Sequence, residues 1–328
     1  MLGVGSRQCG RRIETSVFRA YRSVCRIAQL NNIVCQISEA RLSCTLGNWS
    51  ELMASTTLDD DDYIIGANQV EIDRLGLQHA IWRESAMAAW RRAGIKPGMT
   101  VLDIGAGPGY ASFDLARLVG PAGKVIAMDQ SALFLDALRE GARHRGLVNI
   151  EVVESDLADF QWPDRQCDAV WSRWCLSFVP DPELILSGVD RALKSNGIFV
   201  SQEYVDYRTM KITPSDPIFD AFVDAVEASW RHFQGDPNVG CRFPAAFASL
   251  GWALEYERPI IHATRPGDVI WNWPTSWFQH APARLVELGF FTREQADCFD
   301  RFIAQRNADP NSMLMTPMVM ESVARKPA

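Results

Sequence analysis

A short apolar run, Val101-Leu102-Asp103-Ile104, passes straight into Gly105-Ala106-Gly107-Pro108-Gly109 and then into a helical stretch from Tyr110. A strand that ends in glycines and turns at once into a helix is the segment that most restricts this chain. It calls for a parallel sheet whose strand ends carry ligand-facing loops. The flanking pattern agrees. Ile72, Leu75, His79, Trp82, Ala86, Ala89 and Trp90 recur every three or four residues, an amphipathic helix closed by Ala93-Gly94 and the Lys96-Pro97-Gly98 turn. His79 falls on the apolar stripe and reads as a satisfied core histidine.

Beyond the glycines, apolar and helical segments alternate: strand 124–129, helix 133–145, strand 150–153, strand 169–172, helix 183–193 and strand 197–204. The last third predicts helices over 217–233 and 243–250 and a strand over 253–262. Helical stretches over 268–288 and 292–308 and an extended segment over 313–324 complete the chain. Strand, two helices, strand is what would complete the sheet. Nothing reads as an interdomain linker, so one domain is expected over 59–328.

Residues 1–58 differ in character from the rest of the chain. They hold seven arginines and no lysine, with Glu14, Glu39 and Glu51 as the acids and four of the eight cysteines. Such a leader reads as a mis-assigned start, with Met53 opening a second one, as an organelle-targeting segment, or as a structural extension. The remaining cysteines are scattered, with no CxxC pair and no histidine at zinc-ligand spacing, so no metal is expected. Reduced thiols fit a cytoplasmic protein, with organelle targeting by the leader left open. No apolar run approaches the ~20 residues of a membrane-spanning helix. A formal charge of −7 without a basic stripe argues against nucleic acid as partner. Oligomeric state is not set by these features.

Chemistry concentrates at three strand ends. Gly105 and Gly107 let the backbone approach a ligand closely. Their Gly-x-Gly-x-Gly spacing departs from the Gly-x-Gly-x-x-Gly of a pyrophosphate cradle. Asp103 just before the turn suits a cationic amine better than a pyrophosphate, which favours a cofactor bearing an amino acid. Asp129, about twenty residues on at the end of the next strand, can accept from both hydroxyls of an adenosine ribose. Asp156, in Glu154-Ser155-Asp156-Leu157 after the third strand, is placed for an adenine amino group; a helix N-cap is the competing reading.

Together these residues resemble the class I S-adenosylmethionine-dependent methyltransferases over about residues 63–326. The resemblance implies a Rossmann-like α/β fold, a seven-stranded mostly parallel sheet with helices on both faces and helical insertions in the C-terminal third. It also implies S-adenosyl-L-methionine as cofactor. The glycine loop (Gly105, Ala106, Gly107, Gly109) would face the methionine end, Asp129 and Gln130 the ribose, and Asp156 and Leu157 the adenine. Asp103 would brace the loop or act through water. Asp168-Ala169-Val170-Trp171-Ser172-Arg173 resembles the fourth-strand motif, bringing Ser172 and Arg173 to the methionine end and leaving Asp168 structural. Leu193-Lys194-Ser195-Asn196-Gly197 departs from the usual Leu-Lys-Pro-Gly-Gly turn, but Asn196 tolerates the left-handed conformation it needs. Tyr63 and Gln78 would lie on a cover helix.

Methyl transfer to a small-molecule acceptor is the activity the resemblance implies, with a quinone- or polyketide-type acceptor favoured. No single base stands out. Glu203 and Tyr204, ending strand five, are expected to line the pocket, and His232 and His262 are further candidates. Trp230, Trp271, Trp273 and Trp277 form either buried core or an aromatic cage. The competing classes are a non-catalytic cofactor-binding protein on the same fold and a nicotinamide-dependent oxidoreductase.

Overall fold

The computed structural model describes residues 68–328. The readings of the leader and of Tyr63 fall outside that range. The first helix, α1 (Gln69–Ala93), opens on Asn68, whose side chain accepts from the Glu71 amide, and closes on Gly94 at φ 81°. Strand β1 (Thr100–Ile104) leads into α2 (Tyr110–Val119), then β2 (Lys124–Asp129), α3 (Ala132–His144) and β3 (Ile150–Glu154). After β4 (Cys167–Arg173), Asp181 caps α4 (Pro182–Ala192) with proline in its first turn, and β5 (Leu193–Asp206) comes next. Asn196 in its first residues has φ 60°, the left-handed geometry expected of the turn.

The remaining elements are β6 (Lys211–Thr213), α5 (Pro217–His232), α6 (Phe243–Ser249), β7 (Ala253–Ile260) and β8 (Ala263–Thr264). They are followed by α7 (Asn272–Phe278), α8 (Ala281–Glu287), α9 (Arg293–Ala308), β9 (Met313–Met315) and β10 (Met318–Arg325).

Seven strands form one sheet in the order β3-β2-β1-β4-β5-β10-β7. All neighbours are parallel except β10, which runs antiparallel to both β5 and β7. Side chains of successive residues leave opposite faces, and both faces are apolar. Val101, Val125 and Trp171 pack with Trp90 and Phe113 on one side. Leu102, Ile126 and Val170 pack with Phe243, Phe247 and Trp252 on the other. A third cluster, built on Phe219, Phe222, Phe278 and Phe299, holds the C-terminal helices together, with Phe222 stacked on Phe299 at 4.1 Å.

Two C-terminal segments differ from the sequence reading. The stretch 268–288 is two short helices, because Pro282 cannot donate to the Phe278 carbonyl and its ring would collide with it. The strand read over 253–262 ends at Ile260 and is followed by β8, and the stretch 313–324 breaks into β9 and β10; β8 and β9 join β6 in a small second sheet in the order β6-β9-β8. The break is pinned where His262 N donates to Thr316 Oγ1 at 3.0 Å and Thr316 N donates to the His262 carbonyl at 2.9 Å. Strands of two or three residues carry too little alternation to be read from sequence.

Candidate active site

The carboxyl ends of β1, β2, β3 and β4 converge on one cavity of about 730 Å³. Its floor is the glycine loop. Ala106 N donates to the Met128 carbonyl at 2.9 Å, tying the loop to β2. Gly107 N then donates to Asp129 Oδ2 at 2.8 Å, and Ser131 N donates to Asp129 Oδ1 at 2.9 Å. Two backbone amides thus fix the carboxylate in the cavity wall. A carboxylate offers about four acceptor directions, so a vicinal diol can share it with those amides.

The loop's glycines serve different ends. A Cβ on Gly105 would meet Cys175 Sγ at 2.5 Å, and one on Gly109 would overlap the Leu138 side chain. Gly107 has φ 54° and nothing within 4 Å of its absent Cβ, so its bare face is turned to open space at the cavity. Gly105 and Gly107 border the cavity; Gly109 does not, and packs against α3 instead.

Gln130, Asp156 and Leu157 lie on the wall beside Asp129. Ser155 N donates to the Asp129 carbonyl at 3.0 Å, holding the third strand end against the second. Asp156 Oδ1 accepts from Ala158 N at 2.7 Å, so its side chain shapes the local turn as well as facing the cavity.

Asp103, Ala106 and Arg173 border a side cavity of about 70 Å³, which shares Gly105, Gly107, Gln78 and Trp174 with the main one. Ser112 Oγ donates to Asp103 Oδ2 at 2.5 Å. Burial lifts the Asp103 carboxyl to about 7 despite that bond and the Arg173 charge. Arg173 Nη2 donates to His79 Nδ1 at 3.0 Å, and burial lowers its guanidinium to about 10. His79 is a satisfied buried histidine, as its place on the stripe implied.

Beyond Arg173 the cavity becomes aromatic. Trp174 takes a left-handed backbone (φ 48°), rare for a bulky residue, and its ring stacks on Tyr204 at 5.8 Å and on Trp273 at 5.3 Å. Trp230 meets Tyr207 edge-on at 5.0 Å and Phe178 at 5.4 Å. Trp230 and Trp273 are at once buried and cavity-lining, so core and cage are not alternatives here. Trp277 also lines the cavity, while Trp271 packs away from it, its Nε1 donating to Asn307 at 2.8 Å.

Four sequence-level candidates sit elsewhere. Glu203 is fully buried and does not reach the cavity. Its Oε1 accepts from Ser172 Oγ at 3.2 Å, Cys175 N at 2.9 Å and Leu176 N at 3.0 Å, bracing the turn after β4. Ser172 is buried with it. Strand alternation explains the error: neighbours on β5 face opposite ways, so only one of Glu203 and Tyr204 can look into the cavity, and it is Tyr204. His262 packs edge-on against Trp82 at 5.6 Å, and His232 lies between Phe233 and Phe290; neither borders the cavity.

Sequence reasoning missed His280, which lines the main cavity beside Trp277 and Arg284. Burial lowers its imidazole, with Glu71 pulling up and Arg74 pushing down. No periodic pattern marks it, because it falls in the break between α7 and α8. Gln78, on α1, does reach the cavity, accepting from Trp273 Nε1 at 2.9 Å and Arg74 Nη1 at 3.2 Å. Among the described residues no group of three or more His, Cys, Asp or Glu could hold a metal ion.

Residues 95–234 match the profile of a family described as Methyltransferase domain. The ubiquinone/menaquinone biosynthesis C-methyltransferase UbiE of Brucella canis is 29% identical over 181 residues, covering 55% of this chain and 62% of that protein. The Cellvibrio japonicus protein of the same name is 33% identical over 127 residues, 38% of this chain and 50% of that one. The chain therefore spans less than two thirds of these relatives. A solved structure from Bacillus halodurans C-125 shares the fold with a TM-score of 0.54 at 19% identity, covering 75% of this chain and 100% of that one. The YcgJ protein of Bacillus subtilis does so at 0.51 and 17% identity, covering 75% and 99%. With the sheet order, the glycine loop and the Asp129 carboxylate in place, residues 95–234 form a methyltransferase domain of the class I S-adenosylmethionine-dependent family.

Proposed function

We propose that this chain, as one domain over residues 59–328, binds S-adenosyl-L-methionine and transfers its methyl group to a small-molecule acceptor by in-line displacement. The observation that carries the reading is the Asp129 carboxylate, held by the Gly107 and Ser131 amides in the wall of a cavity that continues into an aromatic chamber. The residues present fit the cofactor: a carboxylate for the ribose, Asp156 and Leu157 for the adenine, and a bare glycine face where a methionine chain passes. Gly105, Gly107, Gln130, Asp103 and Arg173 complete the assignment.

When bound, the cofactor supplies an activated methyl on a sulfonium, so the protein's task is positioning. Trp174, Tyr204, Tyr207, Trp230 and Trp273 make a rigid chamber that orients a flat acceptor and keeps water out, and orientation alone lowers such barriers by ~7–11 kcal/mol. For an acceptor that must lose a proton, His280 is the chamber's proton acceptor, since burial keeps its ring neutral. The Brucella and Cellvibrio relatives are quinone-biosynthesis C-methyltransferases, and the aromatic chamber supports a ring-bearing acceptor of quinone or polyketide type. A recessed chamber and an acidic chain speak for a small molecule over nucleic acid. No helix of the described residues is long and apolar enough to cross a membrane; we infer a cytoplasmic setting from the unpaired cysteines Cys167, Cys175, Cys241 and Cys298.

Calorimetric titration with S-adenosylhomocysteine and NADH, on the wild type and Asp129→Ala, tests the cofactor. Micromolar binding of the first, lost in the variant and absent with NADH, is the expected result. Tight NADH binding alone would overturn it. Turnover across a panel of ring-bearing acceptors then separates an enzyme from a non-catalytic binder.

A further inference from the structure

The main cavity sorts its charged groups by sign. Among the described residues the carboxylates that border it are Asp129, Asp156 and Asp181; the first two stand at the cofactor strand ends and Asp181 caps α4. The aromatic chamber is bordered instead by basic groups, Arg74 on α1 and His280 and Arg284 one turn apart at the start of α8. The counter-ions of the two arginines stand behind them. Arg74 donates to Glu71 through Nε and Nη2, each at 2.6 Å, and to Gln78 through Nη1 at 3.2 Å. Arg284 donates to Glu287 at 3.2 Å. Neither glutamate borders the cavity.

Two phenols share that chamber. Tyr204, near the end of β5, and Tyr207, just after it, meet edge-on at 5.3 Å and both border the cavity. Neither hydroxyl has a hydrogen-bond partner among the described residues, although Tyr207 is only 3% exposed. A buried phenol normally finds a partner, and an orphaned one at a cavity points to a ligand oxygen that supplies it. Burial pushes both phenols above their usual range, so both keep the proton they can donate. The Arg74 charge acts on both against that rise; Arg173 adds to it and Glu203 opposes it at Tyr204, while Glu227 opposes it at Tyr207. Glu71 acts instead at His280, where it outweighs Arg74. The Glu71–Arg74 pair is thus polarised across the chamber, positive toward the two hydroxyls and negative toward the imidazole.

We propose that the methyl acceptor is a ring-bearing acid, its carboxylate held by the Tyr204 and Tyr207 hydroxyls in the field of Arg74. A neutral ring oxygen would use the two donors but not the charge, and a cationic acceptor would meet basic groups where it needs carboxylates. A carboxylate taken out of water needs both hydrogen bonds and positive charge around it, and this end of the chamber offers both. The proposal rests on the reading of this chain as a small-molecule methyltransferase and narrows its ring-bearing acceptors to those with an acid group. Tyr204 and Tyr207 become the residues that set acceptor specificity, and Arg74 gives α1 a part in it.

The test is calorimetric titration of the full chain, first with S-adenosylhomocysteine and then, once that is saturating, with 2-naphthoate or its neutral counterpart 2-naphthamide. Wild type is expected to bind the acid at least about tenfold more tightly than the amide. Tyr207→Phe removes a hydroxyl that no protein group bonds, so the fold should keep its melting temperature. The variant should weaken the acid by about tenfold, the amide by less than about threefold, and S-adenosylhomocysteine not at all. Arg74→Gln, which drops the charge, should likewise act on the acid alone. Should that variant fail to fold, Tyr207→Phe decides. A merely structural role would lower acid and amide together, and that result overturns the proposal. Equal binding of the two by wild type overturns it too, as does no binding of the acid up to about 1 mM. Failure of S-adenosylhomocysteine to bind in the first titration would instead overturn the cofactor reading, and this proposal with it; its binding without any preference for the acid overturns this proposal alone.

Discussion

The Gly107 amide donates to Asp129 Oδ2 at 2.8 Å, so the first strand's loop and the second strand's last carboxylate form a single unit. Gly107 and Gly105 then respond differently to a methyl group. Gly107→Ala meets no protein atom and pays only for its left-handed backbone, ~1–2 kcal/mol. It should fold, and weaken S-adenosylhomocysteine by roughly tenfold or more, as a methyl pressed against a ligand does. Gly105→Ala drives its Cβ into Cys175 and should lose several degrees of melting temperature before any ligand is added. Thermal unfolding and calorimetry on the pair separate the two.

Asp103 carries a pH dependence. Burial raises its folded carboxyl to about 7 from an ordinary value of 3.8, against the Ser112 bond and the Arg173 charge and with the Asp129 charge adding to the rise. A group raised in the folded state favours folding when protonated; that advantage is complete below 3.8 and is lost as pH rises through about 7. Asp103→Asn, which keeps an acceptor for Ser112, should therefore gain melting temperature over the wild type at about pH 8.5 and much less at about pH 4. Equal shifts at both pH values, chosen to bracket the titration, would refute the assignment.

Glu203 tests the difference between a base and a brace. Glu203→Gln keeps an oxygen for the Cys175 and Leu176 amides and should leave turnover within about threefold, whereas loss of a general base lowers rates by ~10²–10⁴. Glu203→Ala strands those donors and should destabilise the fold by ~2–4 kcal/mol in denaturant unfolding.

His280 predicts the opposite pattern. With an acceptor that loses a proton, kcat/KM should climb with pH through a value below 6.5 and stay flat above it, since burial lowers the imidazole. His280→Gln should remove that limb and reduce kcat by ~10²-fold while leaving S-adenosylhomocysteine affinity unchanged. A variant with wild-type kcat excludes the role.

The sheet was legible because its strands announce themselves: Lys124–Asp129 begins and ends where its apolar run does, and glycines or capping residues punctuate its helices. The strand-end residues Asp129 and Asp156 were legible for the same reason, since position after a parallel strand places a side chain at the cavity. The acceptor side was not. Glu203 and Tyr204 differ by one residue and by a whole face of the sheet, and no composition rule says which one turns inward. Trp174 reaches Tyr204 and Trp273 only through a backbone conformation that its residue type does not advertise. His280 comes into place through the packing of α7 against α1 and of α8 against α5 and α9, which joins residues far apart in the chain.

Strand β10 lies between β5 and β7 although it comes after both in sequence. During synthesis, β7 therefore leaves the ribosome with no neighbour to pair with, and the exposed edge of β5 stays open until residues 318–325 emerge to fill the slot. Glu321, buried in that strand, then closes on Arg92 of α1 and Gln202 of β5. The wall carrying Tyr204 is thus completed by a latecomer, and a nascent chain has its glycine loop and Asp129 assembled well before the acceptor chamber has a finished side.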